Sequence, residues 1–247
     1  AALRESNKTA DAARKVVFLK NGKYTYGTLT GSYQHNVSLK ENKNNIYNVS
    51  LIGESKEGVL IEGTTDGITS STLDLGDGTG NYLQDITIRN NYDFRSTLNG
   101  VSVAMNGGNK TVLKNVALQS SQDTYVTGKR TYLEDCDIYG TTDFVCGGGN
   151  IYFERCNLIL GNKTGNVISA PSTDAATKWG YVFQNCTVKA DEGASLVVDG
   201  NWNLGRPWQN EPRTYYLNTK MEVLCSDAGW TNMGNLVTHF YEYQSYD

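Results

Sequence analysis

Five segments of this chain can be laid beneath one another: Tyr82 to Ile88 (YLQDITI), Val112 to Leu118 (VLKNVAL), Tyr132 to Ile138 (YLEDCDI), Tyr152 to Leu158 (YFERCNL) and Val182 to Val188 (VFQNCTV). Each carries two apolar residues, a polar pair, a small or apolar residue, a polar residue and a final apolar one, so the fifth position falls at 86, 116, 136, 156 and 186. A period of twenty or thirty residues with strand-like alternation marks a solenoid, in which each coil buries its inward face against the next. Twenty residues suit a coil with short turns, and thirty a coil with one inserted loop. The reading is an all-β chain folded as a right-handed parallel β-helix, with residues 1–247 forming one such domain. Asn, Thr and Gly between short apolar runs, with only 3 prolines, fit strands joined by tight turns.

Register follows from the cysteines. Cys136, Cys156 and Cys186 share the fifth position and should stack. Parallel strands lie roughly 4.8 Å apart, within the Cα separation a disulfide tolerates. Two readings stand side by side: a Cys136–Cys156 bridge, or a ladder of reduced thiols acting as small hydrophobes. With no CxxC pair and two histidines, His35 and His239, far apart in sequence, neither a zinc nor an iron–sulfur site is expected. A net charge of −4 with scattered Lys and Arg argues against a nucleic-acid surface. No apolar run is long enough to span a membrane. Lys15 to Leu19 (KVVFL) reads as a buried strand after a short helical lead-in from Glu5 to Arg14, so the chain reads as entering mid-structure, with further coils or domains expected beyond both ends.

In a solenoid, residues one coil apart stack on one face. Asp123 and Asp143 are twenty apart, in QDTY and TDFV, and both follow strand segments outside the inward-facing repeat. Two carboxylates that close do not ionise independently: one pKa rises, giving a protonated acid beside an ionised nucleophile near neutral pH, and the two titrate as a unit. A purely structural carboxylate stack would need a compensating cation.

The strings around these residues carry a resemblance. Tyr47 to Ser55 (YNVSLIGES), Gln122 to Thr124 (QDT), Tyr139 to Gly149 (YGTTDFVCGGG) and Leu204 to Gln209 (LGRPWQ), in this order and spacing, resemble the pectinesterase (pectin methylesterase) family across nearly the whole chain. Lys20 to Tyr24 looks like the family's opening strand and turn, Ala228 to Trp230 like its closing coil, and the triple glycine is closest in style to bacterial, Bacteroidota-type members. The resemblance implies a carboxylic ester hydrolase without metal or other cofactor. Asp143 would attack the methyl-ester carbonyl of a galacturonate unit, giving an acyl-enzyme. Asp123 would protonate the leaving methanol and then activate water. Gln122 would donate to the oxyanion, and Arg206 would hold Asp143 ionised. Trp208 would stack on sugar rings, while Tyr125 and Phe144 divide evenly between cleft lining and packing. The implied partner is pectin, chiefly homogalacturonan, met by a secreted or periplasmic monomer.

The chain also departs from the family. A second glutamine usually stands one coil before Gln122; here Gly100 or Val101 takes its place, depending on a one-residue gap. Losing one oxyanion donor costs ~10²–10³ in rate. The Gly100 N–H, the Asn99 amide and the Ser102 hydroxyl are candidate substitutes. Tyr26 stands where the family generally has glutamate. Two rivals follow: a catalytically weak or inactive pectin-binding β-helix, and another β-helical pectin enzyme, a polygalacturonase or calcium-dependent lyase, whose histidine motif or acidic cluster is not visible. Trp179, Trp202 and Trp230 are read as packing residues.

Overall fold

The computed structural model describes residues 9–25, 45–174 and 176–247. Tyr26 and His35 therefore lie outside the described residues. Strands stack in parallel into two sheets of 15 and 6 strands, and no helix occurs among the described residues. The larger sheet covers two faces of the coil. On the first face Asn109–Gln119 begins a run through Arg130–Glu134, Asn150–Glu154, Tyr181–Gln184, Arg213–Leu217 and His239–Tyr243. The second face continues from the far half of Asn109–Gln119 through Asp137–Gly140, Asn157–Leu160, Thr187–Ala190 and Lys220–Met221. The smaller sheet is the third face, running from Gly67–Asp74 through Ser102–Asn106, Tyr125–Thr127, Thr142–Gly147 and Val167–Pro171 to Asn203–Gly205.

The corner between the first two faces is the fourth position of the sequence repeat. Asp85, Asn115, Asp135, Arg155 and Asn185 all have φ between 50° and 55°, and Asn218 and Gln244 continue the series. Asn and Asp tolerate this left-handed conformation better than other side chains, which explains why a polar residue recurs there. Their side chains also join coils: Asn115 Nδ2 donates to Asp85 Oδ1 at 2.7 Å and Arg155 Nε to Asp135 Oδ1 at 2.9 Å.

Inward residues form ladders. Phe153 stacks on Phe183 with centroids 4.3 Å apart, and Phe183 on Tyr216 at 4.4 Å. Cys136, Cys156 and Cys186 are buried free thiols, each approaching a carbonyl of the preceding coil, so the thiol ladder and not the bridge is what the structure contains. The strand Lys15–Leu19 forms, but it is not buried: Val16 is 65% and Phe18 59% exposed. It pairs only with Val49–Gly53 at the start of the ladder and has no coil before it among the described residues. Residues 9–12 of the expected helical lead-in are turn and bend and 13–14 have no regular structure; the rest lies outside the described residues.

Candidate active site

Two successive coils of the third face place the acidic pair. Val145 pairs with Tyr125 and Cys146 with Val126, a register of twenty residues that sets Asp143 beside Asp123. The Asp123 N–H donates to the Thr142 carbonyl at 3.1 Å, tying the two turns together. Both aspartates have positive φ, 59° and 51°, and the ladder shifts register between Thr142 and Val145. This left-handed kink re-aims the side chain where the chain enters the sheet; strained backbone of this kind concentrates at functional sites. Gly140 makes the turn feasible, because a Cβ there would lie 2.1 Å from the Phe144 Cβ.

Arg206 reaches Asp143 from two coils further on. Its Nε donates to Oδ1 at 2.8 Å and its Nη2 to Oδ2 at 2.7 Å, a two-pronged pair that occupies one edge of the carboxylate. The Arg206 N–H donates to the Ser169 carbonyl, and Gly205 lies so close to Ser169 that a Cβ would meet its Oγ at 2.2 Å. The glycine before Arg206 is thus required by the close approach of these coils. Asp143 is 3% and Asp123 7% exposed. Burial first, and the Asp143 charge second, push the Asp123 carboxyl up to about 7 against the opposing influence of Arg206 and the Cys146 thiol. The cation that favours ionisation is bonded to Asp143, leaving Asp123 as the proton-bearing member near neutrality.

Gln122 precedes Asp123, and its bridge partner one coil earlier is Val101, which settles the one-residue gap. Each of the three candidate substitutes already makes a hydrogen bond elsewhere. Gly100 N–H and Asn99 N–H both donate to Asp93 Oδ2 at 2.7 Å, and the Asn99 side-chain amide donates to the Thr97 carbonyl. Ser102 is fully buried, with its hydroxyl 2.6 Å from Ser120 Oγ and donating to the Gly100 carbonyl. Burial raises the Asp93 pKa, but the donors from Gly100, Thr97 and Asn99 outweigh it and hold the carboxyl below its ordinary value. Asp93 therefore organises the loop ahead of Val101 as an anion.

Tyr125 and Phe144 need correction as cleft residues. Both are fully buried in the core. Phe144 directly follows Asp143, whereas Tyr125 is two residues beyond Asp123 and pairs with Val145; with left-handed φ at both aspartates, and with Thr124 and Val145 buried as well, simple alternation does not describe this stretch. Trp208 is half-buried two residues beyond Arg206, its N–H bonded to the Pro171 carbonyl. Trp202 is fully buried and Trp230 packs on Tyr216 and Phe240, whereas Trp179 is 57% exposed and is no packing residue. Two site neighbours went unread in the sequence. The buried Cys146 thiol is one of the groups that favour the ionised form of Asp123. Lys163, twenty residues after Asp143, reaches back to donate to Thr142 Oγ1 at 3.1 Å. It lies in the loop between Asn157–Leu160 and Val167–Pro171, where Thr142 pairs with Val167, so the repeat does not place it. Among the described residues no three His, Cys, Asp or Glu side chains converge to hold a metal ion.

The fold and site define a class: a right-handed parallel β-helix whose outer face carries a buried acid beside an arginine-held carboxylate. The chain belongs to the pectinesterase family, whose model matches residues 4–246. It is 28% identical over 235 residues to pectinesterase 2 of Citrus sinensis, covering 90% of this chain and 42% of that protein. A pectinesterase of Petunia integrifolia is 30% identical over 217 residues, covering 80% of this chain and 57% of its own length. This chain thus spans 42–57% of the length of these two relatives. Among solved structures, the pectin methylesterase from carrot superposes with a TM-score of 0.79 at 22% identity, over 99% of this chain and 76% of that one. A pectin methylesterase in complex with a hexasaccharide gives 0.77 at 24% identity, over 99% and 83%. These two likenesses carry the fold.

Proposed function

We propose that this chain hydrolyses methyl esters of galacturonate units in pectin, releasing methanol, with Asp143 as nucleophile and Asp123 as acid and then base. The observation that carries the reading is the asymmetry of the pair: Arg206 grips Asp143 with two hydrogen bonds, while Asp123 is pushed up to about 7. An Asp143 oxygen adds to the ester carbonyl, and the tetrahedral oxyanion is met by the Gln122 amide. Collapse expels methanol, which takes the Asp123 proton. Asp123, now ionised, removes a proton from water as that water attacks the acyl-enzyme; Asp143 leaves as a carboxylate, and the product acid gives up its remaining proton to solvent, with both aspartates restored. Burial of both carboxyls strengthens each of these interactions relative to water. Trp208 would contact a sugar ring beside the scissile ester. Family membership supports the substrate class, and a cell-wall polymer as substrate would be met outside the cytoplasm.

A weak or silent site is the second reading, and one observation favours it: Val101 occupies the rung of the missing donor while Gly100, Asn99 and Ser102 are all engaged elsewhere. Methanol release from methylated homogalacturonan, compared between wild type and Asp143→Asn, tests both. The esterase reading predicts release by the wild type at least ~10³-fold above the variant. Equal rates, with the polymer still bound, would favour the silent binder.

A further inference from the structure

Outward residues of the first face form a second feature, on a different sheet from the aspartates. Val112, Tyr132, Tyr152 and Val182 stand in register on successive coils, and Tyr132 and Tyr152 stack with centroids 5.9 Å apart. With Trp179 as one wall they line a groove of about 390 Å³, within the range of small-ligand sites. Four rungs span roughly 14 Å at the parallel-strand spacing. Trp179 is not loose: its N–H and that of Gly180 both donate to Asn150 Oδ1. The indole is nevertheless 57% exposed, and the two tyrosines are 36% and 38% exposed.

Charge identifies the occupant. Lys110 and Arg130 border the groove, Lys178 Nζ lies 4.9 Å over the Trp179 ring, and no Asp or Glu lines the groove. Neither Lys110 nor Arg130 has a carboxylate partner among the described residues; Arg130 only donates to Asn109 Oδ1. Of the acidic residues on this face, Glu134 and Glu154 stand two residues beyond the tyrosines and are held by Arg155, and Glu242 lies on the last strand, outside the groove. Unpaired cations beside exposed aromatic surface suit a ligand that alternates carboxylates with apolar C–H surface.

We propose that this groove is a second polysaccharide site, taking a de-esterified uronate stretch such as the reaction itself would generate. The inference rests on the esterase reading for its ligand class. A tether on the first face would keep the catalytic face at high effective concentration over neighbouring esters. The test titrates the intact chain with unmethylated oligogalacturonide by calorimetry and by tryptophan fluorescence. Wild type is expected to bind two oligosaccharides per chain, and Trp179→Ala and Arg130→Glu one, with loss of the groove-site signal. Both substitutions fall on exposed side chains and leave methanol release from a short methylated oligomer unchanged while slowing release from the polymer about tenfold. The proposal is overturned by unchanged stoichiometry in both variants, by equal binding of a neutral xylan oligomer, or by a dimer in sedimentation that Trp179→Ala dissolves. Loss of the esterase reading is scored separately, since methanol release by the wild type does not depend on the groove count.

Discussion

Two stacks in this molecule share one spacing and have opposite chemistry. Cys136, Cys156 and Cys186 lie one coil apart facing inward; Asp123 and Asp143 lie one coil apart at the kinked edge of the third face. Burial pushes the Cys136 and Cys156 thiols well up, and no cation is beside them, so they stay neutral and inert. Burial also pushes Asp123 up, but its neighbour Asp143 is held by Arg206. Stacking supplies proximity in both places; a single arginine arriving from two coils away sets the acidic stack apart and, under the proposed function, makes it the reactive one.

Removing either end of that asymmetry has the largest effect. Asp143→Asn is expected to abolish methanol release, by at least ~10³-fold. Arg206→Met leaves a buried carboxylate without its partner and should lower stability by ~3–5 kcal/mol, read by denaturant unfolding, besides silencing the site. Asp123→Asn should cut the rate by ~10²–10⁴ yet stabilise the fold. The folded carboxyl sits near 7 against an ordinary 3.8, so the unfolded chain releases this proton first as pH rises. The resulting destabilisation is absent below pH 4, grows between 4 and 7, and is complete above 7 at up to about 4 kcal/mol. Asp123→Asn should therefore unfold later than wild type at pH 8 and equally at pH 3.5. A wild type as stable as the variant at pH 8 would contradict the raised pKa.

A smaller effect sharpens the comparison with the preceding coil. Val101→Gln places a donor on the rung before Gln122 and is expected to raise kcat by up to ~10², with little change in KM. Smallest of all, Cys156→Ala should leave methanol release unchanged and cost about 1–2 kcal/mol for the cavity. A large activity loss there would mean that the thiol ladder is not inert.

Much of this was legible in the chain itself. The twenty- and thirty-residue repeat carried the register, because a buried ladder forces identical patterning coil after coil, and it placed the cysteines and both aspartates together. What escaped reading depended on local backbone geometry or on loops. Left-handed φ at Asp123 and Asp143 breaks the alternation, so that consecutive residues after each, Thr124 and Tyr125 or Phe144 and Val145, are all buried. Hydrogen bonds from Gly100 and Asn99 to Asp93 are made within one irregular loop that no period describes. Apolarity alone misjudged Lys15–Leu19 and Trp179, since burial depends on whether another coil or loop lies over the face.

Carbon-13 NMR titration of the aspartate carboxyls, in wild type and Asp123→Asn, tests the central claim most directly. The account predicts one carboxyl that changes protonation near pH 7 in the wild type, with the alkaline fall of methanol release following the same midpoint, and no such transition in Asp123→Asn. A wild type whose aspartates have all lost their protons by pH 5 would contradict it.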